Sequence, residues 1–200
     1  MRDIVETNGN GSSHLPPKAG FEETVTVVDP DATWPNAFKA EAASIRLALG
    51  DLLVRIEHVG STSVGGLAGK PIIDTQIAVR RIEIPELARL LEPIGYANVS
   101  WFADATYPFF AKPATGTRTH HLHACLAGSD EEFRHLAVRD FLRTHPDEAA
   151  AYGALKRDLY QRFHGARQGY VDGKDAFVKS LESRAVAWAA RSNAPAPAGS

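Results

Sequence analysis

One carboxylate, one amide and a run of histidines stand at spacings that put them on shared strand faces. In Lys70-Pro71-Ile72-Ile73-Asp74-Thr75-Gln76-Ile77-Ala78-Val79, strand alternation sends Asp74, Gln76 and Ala78 to one face and Ile73, Thr75, Ile77 and Val79 to the other. A carboxylate beside an amide oxygen can hold Mg²⁺ together with waters and substrate phosphates, with one charge fewer than two carboxylates supply. Upstream lies Glu57-His58-Val59-Gly60-Ser61-Thr62-Ser63. A Gly-Ser turn leaves backbone N–H groups and a hydroxyl free to face an anion, so Gly60, Ser61 and Thr62, with His58 at the strand end, form a candidate phosphate site.

The second cluster is Arg118-Thr119-His120-His121-Leu122-His123. Alternation puts His121 and His123 on one face with Thr119 and sends His120 to the other. Two imidazoles two residues apart can chelate a metal, move a proton or contact a phosphate. Asp74, Gln76 and His123 are the candidate metal ligands, and Asp74, His121, His123 and Lys70 the candidate catalytic groups. If Asp74, His121 and His123 meet, a two-histidine, one-carboxylate site suits a transition metal, whereas Asp74 with phosphates suits Mg²⁺ or Mn²⁺. Lys70 and Arg118 are placed to neutralise anionic charge. Arg139, Arg143, Lys156 and Arg157 could build a basic wall, although solvated helix faces carry the same residues. No Ser-His-acid signature surrounds Ser61, which therefore reads as a phosphate ligand and not as a nucleophile.

The elements that must position these groups are an α+β set. The pattern predicts a short strand over 25–28, a helix from Trp34-Pro35 to about residue 49 and strands over 52–59 and 72–79, with the Gly-rich loop between them. A helix over 85–91 follows, then strands over 96–100, 107–112 and 118–126. Ser129 with Glu132 three residues on marks a capping box and opens a helix to about residue 143. His145-Pro146-Asp147 breaks the chain before a helix to about residue 163, and a last helix runs from about 174 to 190. Residues 1–20 and 193–200, rich in Gly, Ser, Pro and Ala, are expected to be disordered, leaving one domain over 21–192.

Composition narrows the partners. The 200 residues are 44% hydrophobic and carry a formal net charge of −2. That gives no general attraction to bulk nucleic acid or to an anionic membrane, and it points to a small-molecule substrate. Cys125 is the single cysteine, which fits a reducing cytosol and reads as a buried small hydrophobe. No stretch approaches the ~18 apolar residues of a membrane span, so a cytoplasmic protein is expected.

Taken together, the run from His58 to Ser63, the Gly66-Leu67 pair, Lys70-Pro71-Ile72-Ile73-Asp74, the Arg118–His123 block, Phe141-Leu142-Arg143, His145-Pro146, Tyr152, Leu155-Lys156, Tyr170, Lys174 and Phe177-Val178 resemble the GrpB (UPF0157) family. The resemblance implies a nucleotidyltransferase-like fold of the polymerase-β kind, a twisted mixed sheet flanked by helices. It also implies a domain type found fused to dephospho-CoA kinase in some bacteria. In the wider superfamily the Gly-Ser turn binds nucleoside triphosphate, while an acid-x-acid strand and a third acid hold two Mg²⁺. By position Gly60 and Ser61 match the turn and Asp74 the first acid. Gln76 replaces the second acid, histidines occupy the third-acid strand, and Gly65 stands where the family often has Pro. Three functions follow as expectations: a metal-dependent enzyme acting on a nucleotide or phosphorylated small molecule, a non-catalytic nucleotide or CoA-binding module, and a metal-dependent lyase, cyclase or isomerase built on Asp74, His121 and His123.

Overall fold

The computed structural model describes residues 24–99, 107–113 and 116–192. The segments expected to be disordered, 1–20 and 193–200, and Ser100 of the strand expected over 96–100 lie outside them. The chain runs α1 (Trp34–Leu49), β1 (Leu53–Val59), β2 (Ile73–Val79), α2 (Ile84–Leu91), β3 (Ala97–Asn98), β4 (Phe109–Lys112), β5 (His120–Leu126), α3 (Asp130–Thr144), α4 (Pro146–Arg162) and α5 (Arg167–Ser192). Among the described residues no helix is long and apolar enough to cross a membrane.

Five strands form one mixed sheet in the order β1-β2-β5-β4-β3. β1 and β2 are an antiparallel pair, with Val59 opposite Asp74. β2 and β5 run parallel, which sets Asp74 level with His121 and Gln76 level with His123. Period-two alternation then builds two different layers. Ile56, Ile77, Val79, Phe110, Leu122 and Ala124 turn to one side and pack under Ala42, Ile45 and Leu49 of α1 and Leu87 and Leu91 of α2. On the other side a second core joins Val64 and Leu67 of the loop to Ala137, Phe141 and Leu142 of α3 and Leu181, Ala185 and Ala189 of α5. Apolar burial at ~25 cal/mol per Å² makes both layers the main stabilising term. The polar face of β2 and β5 is thus trapped between the sheet and the C-terminal helices.

Two expectations need correction. Residues 25–28 do not form a strand of the sheet; they are held by isolated bridges at Thr24 to Ala166 and Val28 to Gly69. Their partners are loop residues, so no ladder can extend. The last helix begins at Arg167, not near Lys174. Gly169 and Gly173 look like helix breakers, yet a Cβ at Gly169 would enter the Phe163 ring and one at Gly173 would strike Leu159. These glycines let α5 close on the end of α4, and that packing outweighs their low helix propensity. The helix start at Ser129 is as read: its side chain accepts from Glu132 N at 3.4 Å, and Glu132 Oε2 reaches back to Gly128 N at 2.7 Å. Cys125 is 1% exposed, as its apolar surroundings imply.

Candidate anion-binding site

The turn after β1 is fixed by a close backbone approach. Gly60 has φ +67°, and a Cβ there would run into the Asp74 carboxylate. Only glycine lets the turn lie against the start of β2. Ser61–Ser63 form one 3₁₀ turn. Ser63 Oγ donates to Gly60 O at 2.7 Å, and Arg143 of α3 donates to Ser63 O at 3.1 and 2.9 Å. His58 lies 3.0 Å from Thr62 Oγ1, and Thr62 Oγ1 donates to Ile72 O at 3.2 Å. The His58 ring stacks on Phe38 with centroids 4.6 Å apart. Burial, with Arg143 and Arg139 nearby, pulls the His58 imidazole down to about 4 despite Asp74. His58 and Thr62 therefore brace the turn from beneath and do not line the cavity that it faces.

That inner cavity, about 260 Å³, is lined by Gly60, Ser61, Lys70, Asp74, His121 and His123, and by Tyr152 and Lys156 of α4 and Tyr170 and Lys174 of α5. His121 Nδ1–H donates to Asp74 Oδ1 at 3.1 Å, and His123 Nε2 stands 3.7 Å from the same oxygen. Burial raises the Asp74 carboxyl, but the hydrogen bonds from both histidines outweigh it and hold the group well below the carboxylate range. Burial depresses His121 more than Asp74 raises it. Asp74 is therefore an ionised carboxylate against a neutral imidazole, and it fixes which ring nitrogen carries the proton.

Lys156 is 2% exposed, and its Nζ meets Ser61 Oγ at 2.8 Å. Burial, followed by the charges of Lys174 and Arg157, brings the amine down to about 7. Lys174 is lowered in the same sense, by burial and by Lys70. Among the described residues neither lysine has a carboxylate within ion-pair distance. The other basic groups named from the sequence divide. Arg139 joins the wall but is bound to Glu57 and Asp140, Arg143 braces the turn, and Arg157 pairs with Asp29 at the surface.

Lys70, His121, His123 and His135 also face an outer cavity of about 540 Å³, whose lining includes Ile72, Val99, Tyr107, Phe109, Arg118 and Arg134. Phe109 packs its ring against both His121 and His123, with centroids 5.0 and 4.9 Å away. The outer space is the more apolar of the two and adjoins the cationic one across the histidines.

Gln76 is not brought to either cavity. It is 2% exposed beneath α3, where its Nε2 donates to Glu131 O at 3.2 Å. Among the described residues no three His, Cys, Asp or Glu side chains are set to hold a metal ion. Asp74 is the one carboxylate at the turn and is already bonded to an imidazole, Glu182 on the same cavity wall is taken by Arg134, and three lysines share the space. This donor set does not fit the two-cation chemistry implied by the fold resemblance, because a second positive layer has no ligands to neutralise it.

Of the residues singled out from the sequence, the structure brings Gly60, Ser61, Lys70, Asp74, His121 and His123 onto one cavity and Arg118 beside it. Sequence reading missed His135, Tyr152, Tyr170 and the central place of Lys156 and Lys174. A signal was present: Tyr152 with Lys156 and Tyr170 with Lys174 are the same tyrosine-lysine pair at i,i+4 on successive helices. Each ammonium lies over its own tyrosine, 4.3 and 5.6 Å from the ring centroid.

Residues 24–184 match the family model described as GrpB protein. A UPF0157 protein of Pseudomonas aeruginosa is 40% identical over 83% of this chain and 69% of its own length. A UPF0157 protein of Bacillus subtilis is 34% identical over 88% of this chain, which spans 50% of that longer protein. The crystal structure of conserved protein GrpB from Enterococcus faecalis has a TM-score of 0.76 at 35% identity, covering 82% of this chain and 99% of that one. The match takes in every strand and the turn, lysines and histidines of the pocket, and the chain belongs to the GrpB family.

Proposed function

We propose that this chain is an enzyme that seats the phosphate of a nucleotide or another phosphorylated small molecule in the inner cavity and transfers a group from it. The observation that carries this reading is the convergence of Lys70, Lys156 and Lys174 on the cavity that the Gly60-Ser61 turn faces, with Asp74 beside the turn. The Lys156 amine is buried with no carboxylate within ion-pair distance among the described residues, which is costly in the empty protein, and an arriving polyanion removes that cost. The outer cavity, with Tyr107 and Phe109 on its wall, offers apolar and aromatic surface to the organic part of the ligand, such as a nucleobase.

The residues then take distinct roles. Lys70 and Lys174 neutralise phosphate charge, and the turn supplies backbone and hydroxyl contacts. Asp74 orients His121 and His123 beside the group that accepts the transferred phosphate. The strand, Gly-Ser turn and acid-bearing strand, set in a mixed sheet between two helical layers, support the polymerase-β-like nucleotidyltransferase reading of the fold. Charge neutralisation by ammonium groups distinguishes this site from the metal-based scheme of that superfamily.

Calorimetric titration with pyrophosphate and with ATP, GTP, CTP and UTP tests the reading. Binding of pyrophosphate, and of at least one nucleotide more tightly, is expected, with affinity falling as salt is raised. If none of the five binds, the cavity is not a phosphate site and the proposal fails. Binding of a nucleotide without turnover on any acceptor would leave a binding module in place of an enzyme.

A further inference from the structure

The three hydroxyls of the turn are used differently. Ser63 Oγ and Thr62 Oγ1 donate to backbone carbonyls, at 2.7 and 3.2 Å, and serve the fold. Ser61 Oγ meets an amine, Lys156 Nζ, at 2.8 Å across 95 residues of sequence. Both groups line the inner cavity. Their place is kept clear by Gly69, where a Cβ would come 2.7 Å from Ser61 Cβ and 3.5 Å from Lys156 Nζ. The groups that face this amine are Lys174 from α5, Arg157 and the Tyr152 ring from α4, and Asp74 from β2. Two of them are cations, and burial acts in the same direction, so the amine sheds its proton at about neutral pH. An amine that can give up its proton near neutral pH, at hydrogen-bond distance from a hydroxyl, is a general base beside a nucleophile.

We propose that Ser61 is the nucleophile of this pocket and Lys156 its base, in a two-step transfer of a phosphoryl or nucleotidyl group. This deepens the phosphate-binding reading above and rests on it. In the first step Ser61 Oγ attacks phosphorus of a phosphoanhydride or phosphate ester. The Oγ–P bond forms, the bond from phosphorus to the leaving oxygen breaks, and that oxygen keeps the electron pair. The hydroxyl proton passes to Lys156 Nζ and from there to the leaving oxygen. In the second step a hydroxyl or amine of the acceptor, or water, attacks the phosphoserine. Its proton moves to Lys156 and then to Ser61 Oγ as the Oγ–P bond breaks. Lys70 and Lys174 hold the charge of the transferring group throughout. A serine displacement of this kind suits a site whose donors do not fit a pair of cations, because the nucleophile is activated by the protein's own amine.

A fluorophosphonate tests the step directly, since attack by a serine forms an Oγ–P bond and releases fluoride. The whole chain is incubated with the probe, and adducts are read by intact mass and peptide mapping. One adduct on Ser61 is expected, absent in Ser61→Ala, slowed about 100-fold in Lys156→Met and prevented by pyrophosphate. In the unmodified protein the labelling rate should rise with pH through a midpoint at about 7. An unlabelled Ser61, or Lys156→Met labelled as fast as the unmodified chain, overturns the proposal. If Lys156→Met fails to fold, the pH profile decides: a rate that is flat from about pH 5 to about pH 9 overturns it equally. Pyrophosphate binding without any Ser61 adduct removes the nucleophile while leaving the phosphate site intact.

Discussion

His120 and His121 are consecutive on β5, face opposite sides of the sheet, and each meets an acid. Under α1 the acid is Glu41, 7% exposed, with Lys112 Nζ donating to both its oxygens at 3.1 and 3.2 Å and His120 Nε2 at 3.7 Å. One carboxylate meets one ammonium there, and none of these side chains lines the inner or the outer cavity. Under α3 to α5 the acid is Asp74, and the amines of Lys70, Lys156 and Lys174 converge on a cavity that Asp74 and two imidazoles share. The first cluster is closed and balanced, and its role is to hold α1 on the sheet. The second is open and carries surplus positive charge, which costs stability and becomes favourable only when an anion arrives. Buried charge by itself does not mark a functional site; imbalance beside an opening does.

Replacing Glu41 by Ala gives the largest stability effect, because it leaves Lys112 and His120 without their acid. A loss of about 3 kcal/mol, at the low end for a broken buried pair since Lys112 keeps some exposure to solvent, is expected. Thermal denaturation should register it as a melting point lower by roughly 5 to 10 °C, with pyrophosphate affinity unchanged. A variant that melts normally but loses pyrophosphate would merge the two clusters into one functional unit.

The pH dependence separates them next. The amine of Lys156 sits at about 7 in the folded chain, from an ordinary value of 10.5. Between those values the unfolded chain binds the proton that the folded chain has released, so stability rises with pH from about 7 toward 10.5. Lys156→Met lessens that rise, leaving the share of Lys174, and Glu41→Ala keeps it whole. On the acid side the sign is the same: burial pulls His58 and His135 down to about 4, so their folded forms refuse protons that the unfolded chain takes. Stability should therefore fall as pH drops from about 6.5 to about 4. Denaturant midpoints recorded across this range check both arms.

Lys174→Met is expected to weaken pyrophosphate by roughly 10- to 30-fold, the loss of one charge-assisted contact, while the melting point stays level or rises. The empty protein sheds a half-buried ammonium that has no carboxylate within ion-pair distance among the described residues, so stability and affinity should move in opposite directions. A fall in both would make Lys174 a packing residue, as Glu41 is a pairing one.

Much of this contrast was legible in the strands. Period-two alternation separates His120 from His121 and His123 and joins Asp74 to their face, because a strand admits two directions and the flanking Ile and Leu residues decide which is buried. Ser61 and Gly60 were legible from a turn whose chemistry is local. The helices hid the rest. Lys156 and Lys174 sit among charged residues whose pattern is that of a solvated face, and only tertiary packing distinguishes a buried lysine from an exposed one. Gly169 and Gly173 misplaced the start of α5 because their effect depends on Phe163 and Leu159, which contact them only after the chain has folded. His58 and Thr62 were assigned to the ligand by adjacency, whereas their partners are each other, Phe38 and the Ile72 carbonyl.

Asp74→Asn gives the smallest expected change, and its sign is the most informative. In a pocket where ammonium groups bind the phosphate, Asp74 is a like charge to the ligand, and its removal should tighten pyrophosphate by about 1 kcal/mol, roughly fivefold. In a pocket where Asp74 holds a divalent cation that bridges to phosphate, the same substitution removes the cation's ligand and must loosen binding whenever Mg²⁺ or Mn²⁺ is present. Titrating pyrophosphate into both proteins, with each cation and with chelator, separates the two schemes without a known substrate. Tighter binding in every condition places the charge balance on Lys70, Lys156 and Lys174; cation-dependent loosening returns Asp74 to a metal and makes the lysines auxiliary. The corresponding Glu41→Gln variant should leave all of these titrations unmoved, since its carboxylate faces Lys112 on the far side of the sheet.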